Sequence, residues 1–400
     1  MKDNKPAICG GTPVRAEKLF YARQYIDDAD IAAVVATLKS DFLTTGPQIS
    51  SLEEKLCRIT GAKYAVACAN GTAALHMACL AAGIAEGDEV ITTPLTFAAS
   101  ANCVLYCGGR PVFADVLPDT YCIDPQAVAA AVKAKTKAVI AVDYTGQSCD
   151  LDALRDICCE RGLILMEDAA HSIGTKYRGK PVGSLADLTT FSFHAVKTVT
   201  GGEGGAVLTD NEEYYRRLRL FREHGITKQA DLFVKPSSGA WYQEQIGLGY
   251  NYRLTDIQAA LLVSQLDKLP LFVKRRKEIA ARYDEAFAGL RGIGLQKEMA
   301  ESDTARHLYL IRVIKGEMSI GRGEFFAALA AENVCCQVHY IPVYYHPYYE
   351  KLGYQKGLCP QAERIYEEII TLPLYYGMSD GDVADVIEAV RKVAEWYARL

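Results

Sequence analysis

Between Tyr64 and Val142 the chain alternates short runs that are apolar at nearly every position with stretches of small and straight-chain residues. Tyr64-Ala65-Val66-Ala67 precedes 72–82, whose alanines, leucines and Met77 favour helix. Glu89-Val90-Ile91-Thr92 precedes a second such stretch, 98–107. Ala138-Val139-Ile140-Ala141-Val142 and Leu163-Ile164-Leu165-Met166 repeat the apolar theme. Runs with no polar face belong to strands covered on both sides, as in a parallel sheet clothed by helices. The alternation predicts an α/β fold with a mostly parallel, mixed sheet sandwiched by helices.

The pattern changes after Leu254. Thr255 can cap a helix over 256–268, and Pro270 is expected to stop or kink it. A second helical stretch, 271–290, is rich in Arg, Lys and Glu, then 307–314 reads as a strand and 323–332 as a helix. Val383, Val386, Ile387, Val390 and Val393 form one apolar stripe behind Ser379, a helix with its cap. The change predicts a large domain over 1–265, including an N-terminal arm, and a smaller C-terminal α/β domain over 266–400.

Length agrees: 400 residues exceed what one ordinary core holds. Half the residues are hydrophobic and 23% charged, a globular composition, and no apolar run approaches the ~20 residues needed to span a bilayer. A net charge of −5 without basic clusters argues against nucleic acid as partner. The first fifteen residues carry charges with no apolar stretch behind them, unlike a secretory signal. The 13 cysteines are an odd number in apolar surroundings, with no Cys-x-x-Cys, and the seven histidines form no His-x-x-x-His. Reduced thiols in a cytoplasmic protein and no metal are the expectation.

In parallel α/β sheets ligands collect at the C-terminal ends of strands, where four features fall. Asn70-Gly71-Thr72 opens a helix with small residues; it is a phosphate site or an ordinary cap. Asp168 follows an apolar run; it holds a cation such as a protonated pyridine nitrogen, or lies at the surface. Phe97 stacks on a flat ring or is plain core. Lys197 ends the aromatic run Phe191-Ser192-Phe193-His194-Ala195-Val196 and faces the glycine-rich 200–205; it is solvated or a buried, nucleophilic amine. Phosphate cradle, carboxylate, aromatic plate and amine together make the set that pyridoxal phosphate (PLP) requires. Spacing alone does not single out Lys197 among 44 basic residues.

Ser192-Phe193-His194-Ala195-Val196-Lys197-Thr198 with Gly202-Glu203-Gly204-Gly205 resembles the lysine signature of the DegT/DnrJ/EryC1/StrS sugar aminotransferases. The resemblance runs from about Tyr21 to the last helix, through 70–75, 91–97, 167–172, 249–256 and 338–343. It implies a PLP enzyme of fold type I, active as a homodimer with shared sites. Lys197 would then carry the cofactor as a Schiff base and Asp168 face its pyridine nitrogen. Phe97 would stack on the ring, while Gly71, Thr72 and Ser192 bind the phosphate and His171 lies near the ring hydroxyl. Asn251 would reach that phosphate from the other subunit, and Arg253 would meet the amino donor's carboxylate. Tyr21, Leu43, Thr44 and Tyr340 align with the substrate side.

Within the family, Ser40-Asp41-Phe42-Leu43-Thr44, Trp241-Tyr242 and 341–349 resemble transaminases of pseudaminic acid biosynthesis. These use L-glutamate and a UDP-4-ketosugar to make UDP-4-amino-4,6-dideoxy-N-acetyl-β-L-altrosamine. Relatives with His at the lysine position dehydrate instead, and Lys197 implies that transamination is kept. Ala195, Thr198 and Gly201 depart from common family residues, in the loop rather than the chemistry. A regulatory protein reusing the fold would be expected to lack Lys197 or Asp168. A dinucleotide enzyme would open its first helix with Gly-x-Gly-x-x-Gly, which is absent here.

Overall fold

Each apolar run is a strand, and each is covered on both faces. The computed structural model describes residues 5–398. Leaving two-residue pairings unnumbered, the strands are β1 (Tyr64–Cys68), β2 (Glu89–Thr92), β3 (Arg110–Phe113), β4 (Thr136–Val142), β5 (Ile164–Asp168), β6 (Leu188–Ser192) and β7 (Gly205–Thr209). They form one sheet in the order β1-β7-β6-β5-β4-β2-β3, parallel except for β7, which is antiparallel to both its neighbours. Alternate residues enter different cores. Ile91, Val139, Ala141 and Leu165 pack to one side, Val90, Ala138, Ile140 and Met166 to the other. This two-sided burial is why the strands carry no polar face.

Strands β3 and β7 lie outside the runs read from the sequence. β7 begins at the last residue of the glycine-rich stretch, and its Ala206-Val207-Leu208 pairs with β1 and β6. Asp168 is the last residue of β5 rather than a residue beyond it. Lys197 lies five residues past the end of β6, in the connection to β7, because the chain turns back where the aromatic run suggested a continuing strand.

Thr255 caps the helix Asp256–Asp267 through a reciprocal capping box with Gln258. The helix breaks at Lys268, just ahead of Pro270, which sits in the first turn of the next helix, Leu269–Phe287. A first-turn N–H has no intrahelical acceptor, so its loss costs nothing there. Beyond it an antiparallel sheet of β8 (Ile293–Leu295), β9 (Tyr309–Val313) and β10 (Ile369–Leu372) packs on the helix Asp380–Tyr397. That helix buries Val383, Val386, Val390 and Val393 and starts at Ser379, as the stripe predicts. The N-terminal segment joins this C-terminal core: Leu19 packs within it, and its N–H donates to the Asn333 carbonyl at 2.9 Å.

Arg276, on the 269–287 helix, ties these parts together from a buried position. Its Nη1 donates to the carbonyls of His307 at 3.1 Å and Leu374 at 3.0 Å. Burial lowers its pKa to about 10, which leaves it charged at neutral pH. Arg276→Ala is expected to cost about 3 kcal/mol, since two buried carbonyls lose a charged donor and a cavity opens. A fall in the urea midpoint checks this.

Candidate active site

The site is built where β1, β5 and β6 end and the next residues turn into helices or loops. Asn70 caps the helix Gly71–Ala81, its Oδ1 accepting the Ala73 N–H at 2.8 Å. That leaves the N–H groups of Gly71 and Thr72 at a helix N-terminus beside a cavity, where they can cradle an anion. A Cβ on Gly71 would stand 2.8 Å from Cβ and 3.0 Å from Oγ of Ser192. The absent side chain is what lets the Ser192 hydroxyl stand against the helix start. Gly205 acts likewise: a Cβ there would run into the Asn70 carbonyl.

Asp168 is buried, 5% exposed, between Val142 of β4 and Thr190 of β6 in register. Its Oδ2 accepts from the Ser100 hydroxyl at 2.6 Å and its Oδ1 from the Ala170 N–H at 3.2 Å. Burial raises its pKa, and those two bonds with the Lys197 charge oppose the rise. Lys197 sits in the hairpin loop between Ser192 and Gly205, where Gly201 N–H closes on the Phe193 carbonyl and Phe193 N–H on that of Gly204. Burial lowers the Lys197 amine to about 8, with the Asp168 charge pulling the other way.

His171 is held neutral, its pKa pushed well below the usual range by burial first and by the Lys197 charge next. It is hydrogen-bonded through Nε2 to the Tyr340 hydroxyl at 3.0 Å. Its buried Nδ1 has no partner among the described residues. Phe97 is 62% exposed although it lies on a cavity wall, a bare aromatic face 6.2 Å from the Tyr340 ring.

Tyr21, Gly71, Thr72, Phe97, Asp168, His171, Ser192, Lys197 and Tyr340 all line one cavity of about 780 Å³. Four expected residues lie elsewhere. The Leu43 carbonyl accepts from Asp256 N–H, Thr44 bridges to Thr255, and Asn251 bridges to Glu223. Arg253 lines a separate groove of about 320 Å³ with Thr45, Arg219 and Arg222. The residues missed in the sequence are Ser100, Tyr106, Thr190, Tyr252 and His339, which also line the cavity.

A helix N-terminus with a hydroxyl, an open aromatic face, a buried carboxylate, an unpartnered imidazole nitrogen and an amine near neutrality fit a flat anionic aldehyde such as PLP. The sequence profile of the DegT/DnrJ/EryC1/StrS aminotransferase family matches residues 24–391. The chain is 43% identical over 377 residues to the Bacillus subtilis spore coat polysaccharide biosynthesis protein SpsC, covering 94% of this chain and 97% of that protein. Its structure resembles a putative sugar aminotransferase from Streptococcus pneumoniae in the PMP form, with TM-score 0.89 and 33% identity over 94% of this chain and 99% of that one. Helicobacter pylori PseC, an aminotransferase of pseudaminic acid biosynthesis, superposes with TM-score 0.89 and 31% identity, covering 95% of this chain and all of that one.

Gly71→Ala is expected to push Ser192 from the helix start and weaken PLP retention by at least about tenfold, measured by absorbance titration of the apo-protein. The rate at which apo-protein captures the PLP aldehyde should rise as pH passes about 8. Below that value folded Lys197 is protonated and cannot attack, and above it the free amine dominates.

Proposed function

The chain belongs to the DegT/DnrJ/EryC1/StrS aminotransferase family and is a PLP-dependent sugar aminotransferase; on that premise we propose that it transfers the amino group of L-glutamate to C4 of a UDP-4-keto-6-deoxy-N-acetylhexosamine. The product would be UDP-4-amino-4,6-dideoxy-N-acetyl-β-L-altrosamine. The observation that carries the reading is a buried carboxylate and an amine near neutrality on the walls of one large cavity. The likeness to PseC supports the narrower choice of sugar, together with the segments 40–44, 241–242 and 341–349.

PLP supplies an electron sink that lets the donor's Cα–H bond break heterolytically. The chain's own residues do the rest. The Asp168 carboxylate, held by Ser100 and the Ala170 N–H, would pair with the cationic ring nitrogen. Lys197 would hold the cofactor, and its amine, when free, would take the proton from the donor's Cα and give it to the cofactor's C4′ on the far side of the nitrogen; for the ketosugar the proton would move in the opposite sense. Gly71, Thr72 and Ser192 anchor the phosphate, and Phe97 covers one ring face. His171, fixed by Tyr340, offers Nδ1 to the ring hydroxyl. Tyr21 and Tyr340 wall the sugar side.

Leu43, Thr44, Asn251 and Arg253 serve the second site of a homodimer in this reading. Asn251 reaches the partner's phosphate and Arg253 the donor carboxylate. The basis is their placement, outside the cavity on exposed or half-buried backbone.

Lys197→Arg is expected to abolish turnover and the yellow colour, and Asp168→Asn to lower kcat by at least about a hundredfold. NMR of the product formed from glutamate and the UDP-4-keto-β-L-arabino sugar tests the substrate. Amination of dTDP-ketosugars in preference to that compound would overturn the assignment.

A further inference from the structure

A second, smaller cavity also reaches Lys197. It measures about 30 Å³ and shares Tyr21, Val196, Lys197, His339 and Tyr340 with the large one. His307 lines the small cavity and not the large one, and Leu308, Leu372 and Leu374 supply apolar wall. That volume has room for about one water, which stays in a protein interior where two or more polar groups meet it.

The polar groups there are not equally free. The Tyr340 hydroxyl is bonded to His171 Nε2 at 3.0 Å, and His339 Nδ1 to the Thr371 hydroxyl at 2.9 Å. The His307 ring packs on that of His171, with centroids 4.5 Å apart, and its buried Nδ1 has no hydrogen-bond partner among the described residues. Its backbone, in contrast, is clamped. The N–H donates to the Thr145 carbonyl at 2.9 Å, and the carbonyl accepts from Arg276 at 3.1 Å. An imidazole held still by its backbone and left unbonded at the ring is the kind of group that a fixed water satisfies.

Charge favours the same arrangement. Burial first, then His171, Lys197, Arg276 and His339, push the His307 pKa well below the usual range, so its ring is neutral and keeps a lone pair that can accept. The ionisable groups around Lys197 are Asp168, His171, His307 and His339, with the phenols of Tyr21 and Tyr340. The exposed His194 and Glu203, on the wall of the large cavity, face each other at 3.9 Å.

We infer that His307 is a positioning residue, which holds an ordered water in the small cavity and through it orients the Lys197 amine. The Lys197 ammonium donates to the water, and the water donates to the imidazole. The inference rests on the proposed role of Lys197 as the reactive amine, and adds to it a residue outside the large cavity. Such a chain of hydrogen bonds favours the protonated amine and so opposes the burial that lowers Lys197 to about 8. Losing the chain therefore lowers Lys197 further. A role in packing alone leaves it unchanged, and removal of a charged His307 would raise it.

The test follows, against pH, the rate at which formaldehyde and cyanoborohydride methylate Lys197 in the PLP-free full-length chain, read by peptide mass mapping. The wild-type rate should reach half its maximum near pH 8. In His307→Phe the midpoint should fall by about one pH unit, roughly a tenfold gain in free amine at lower pH; in His307→Gln, which keeps an acceptor for the water, it should stay within about 0.3 unit of wild type. An unchanged or raised midpoint in His307→Phe, or an equal fall in His307→Gln, would overturn the inference. If His307→Phe does not fold, a high-resolution crystal structure of the wild type decides. Water within hydrogen-bond reach of both His307 and Lys197 supports the inference, and a cavity without it overturns it. None of these measurements uses PLP, so a chain that fails to turn yellow with PLP counts against the proposed function and is read separately.

Discussion

A carboxylate buried at the end of a parallel strand is the constraint on which the rest of the site depends. Asp168 gains only two hydrogen bonds from the protein, from Ser100 and Ala170, and burial works against its charge. A buried carboxylate in that state is stabilised by a cation brought close to it. The sheet makes the burial possible, because helices cover both faces of β4, β5 and β6. The hairpin from β6 to β7 then brings the Lys197 amine into the same cavity, where each charge alters the other's titration.

Charge elsewhere around the cavity is kept low. His171, His307 and His339 are all driven toward the neutral form, by burial first and then by neighbouring charges that include Lys197. Behind Asp168 lie two more acids, Asp143 and Glu167, both wholly buried. Burial raises both, Asp143 to about 7 and Glu167 well above its usual value. The Ser172 hydroxyl donates to Asp143 at 2.6 Å and the Thr189 hydroxyl to Glu167 at 2.9 Å. Raised pKa values favour the protonated, neutral form, so these two acids carry less negative charge than their composition suggests.

Geometry divides the expected site into two groups. Nine residues share one cavity, and Leu43, Thr44, Asn251 and Arg253 gather around the start of the 256–267 helix and the neighbouring groove.

The sequence by itself determined what local physics encodes. Two-sided apolar runs specified the parallel strands, Thr255 and Ser379 marked the starts of their helices, and the resemblance around Ser192–Thr198 pointed to the lysine and its cofactor. Three kinds of fact belonged to tertiary structure alone. The place of β7 between β1 and β6, and so of Lys197 in a hairpin loop, was decided by strand pairing. The need for glycine at 71 and 205 came from close approach to Ser192 and Asn70, groups more than a hundred residues distant from one glycine or the other. The full burial of Asp143 and Glu167 was invisible for the same reason. Hydrogen bonds and charge coupling depend on distance in space, and only the packed chain sets which side chains lie within a few ångströms of one another.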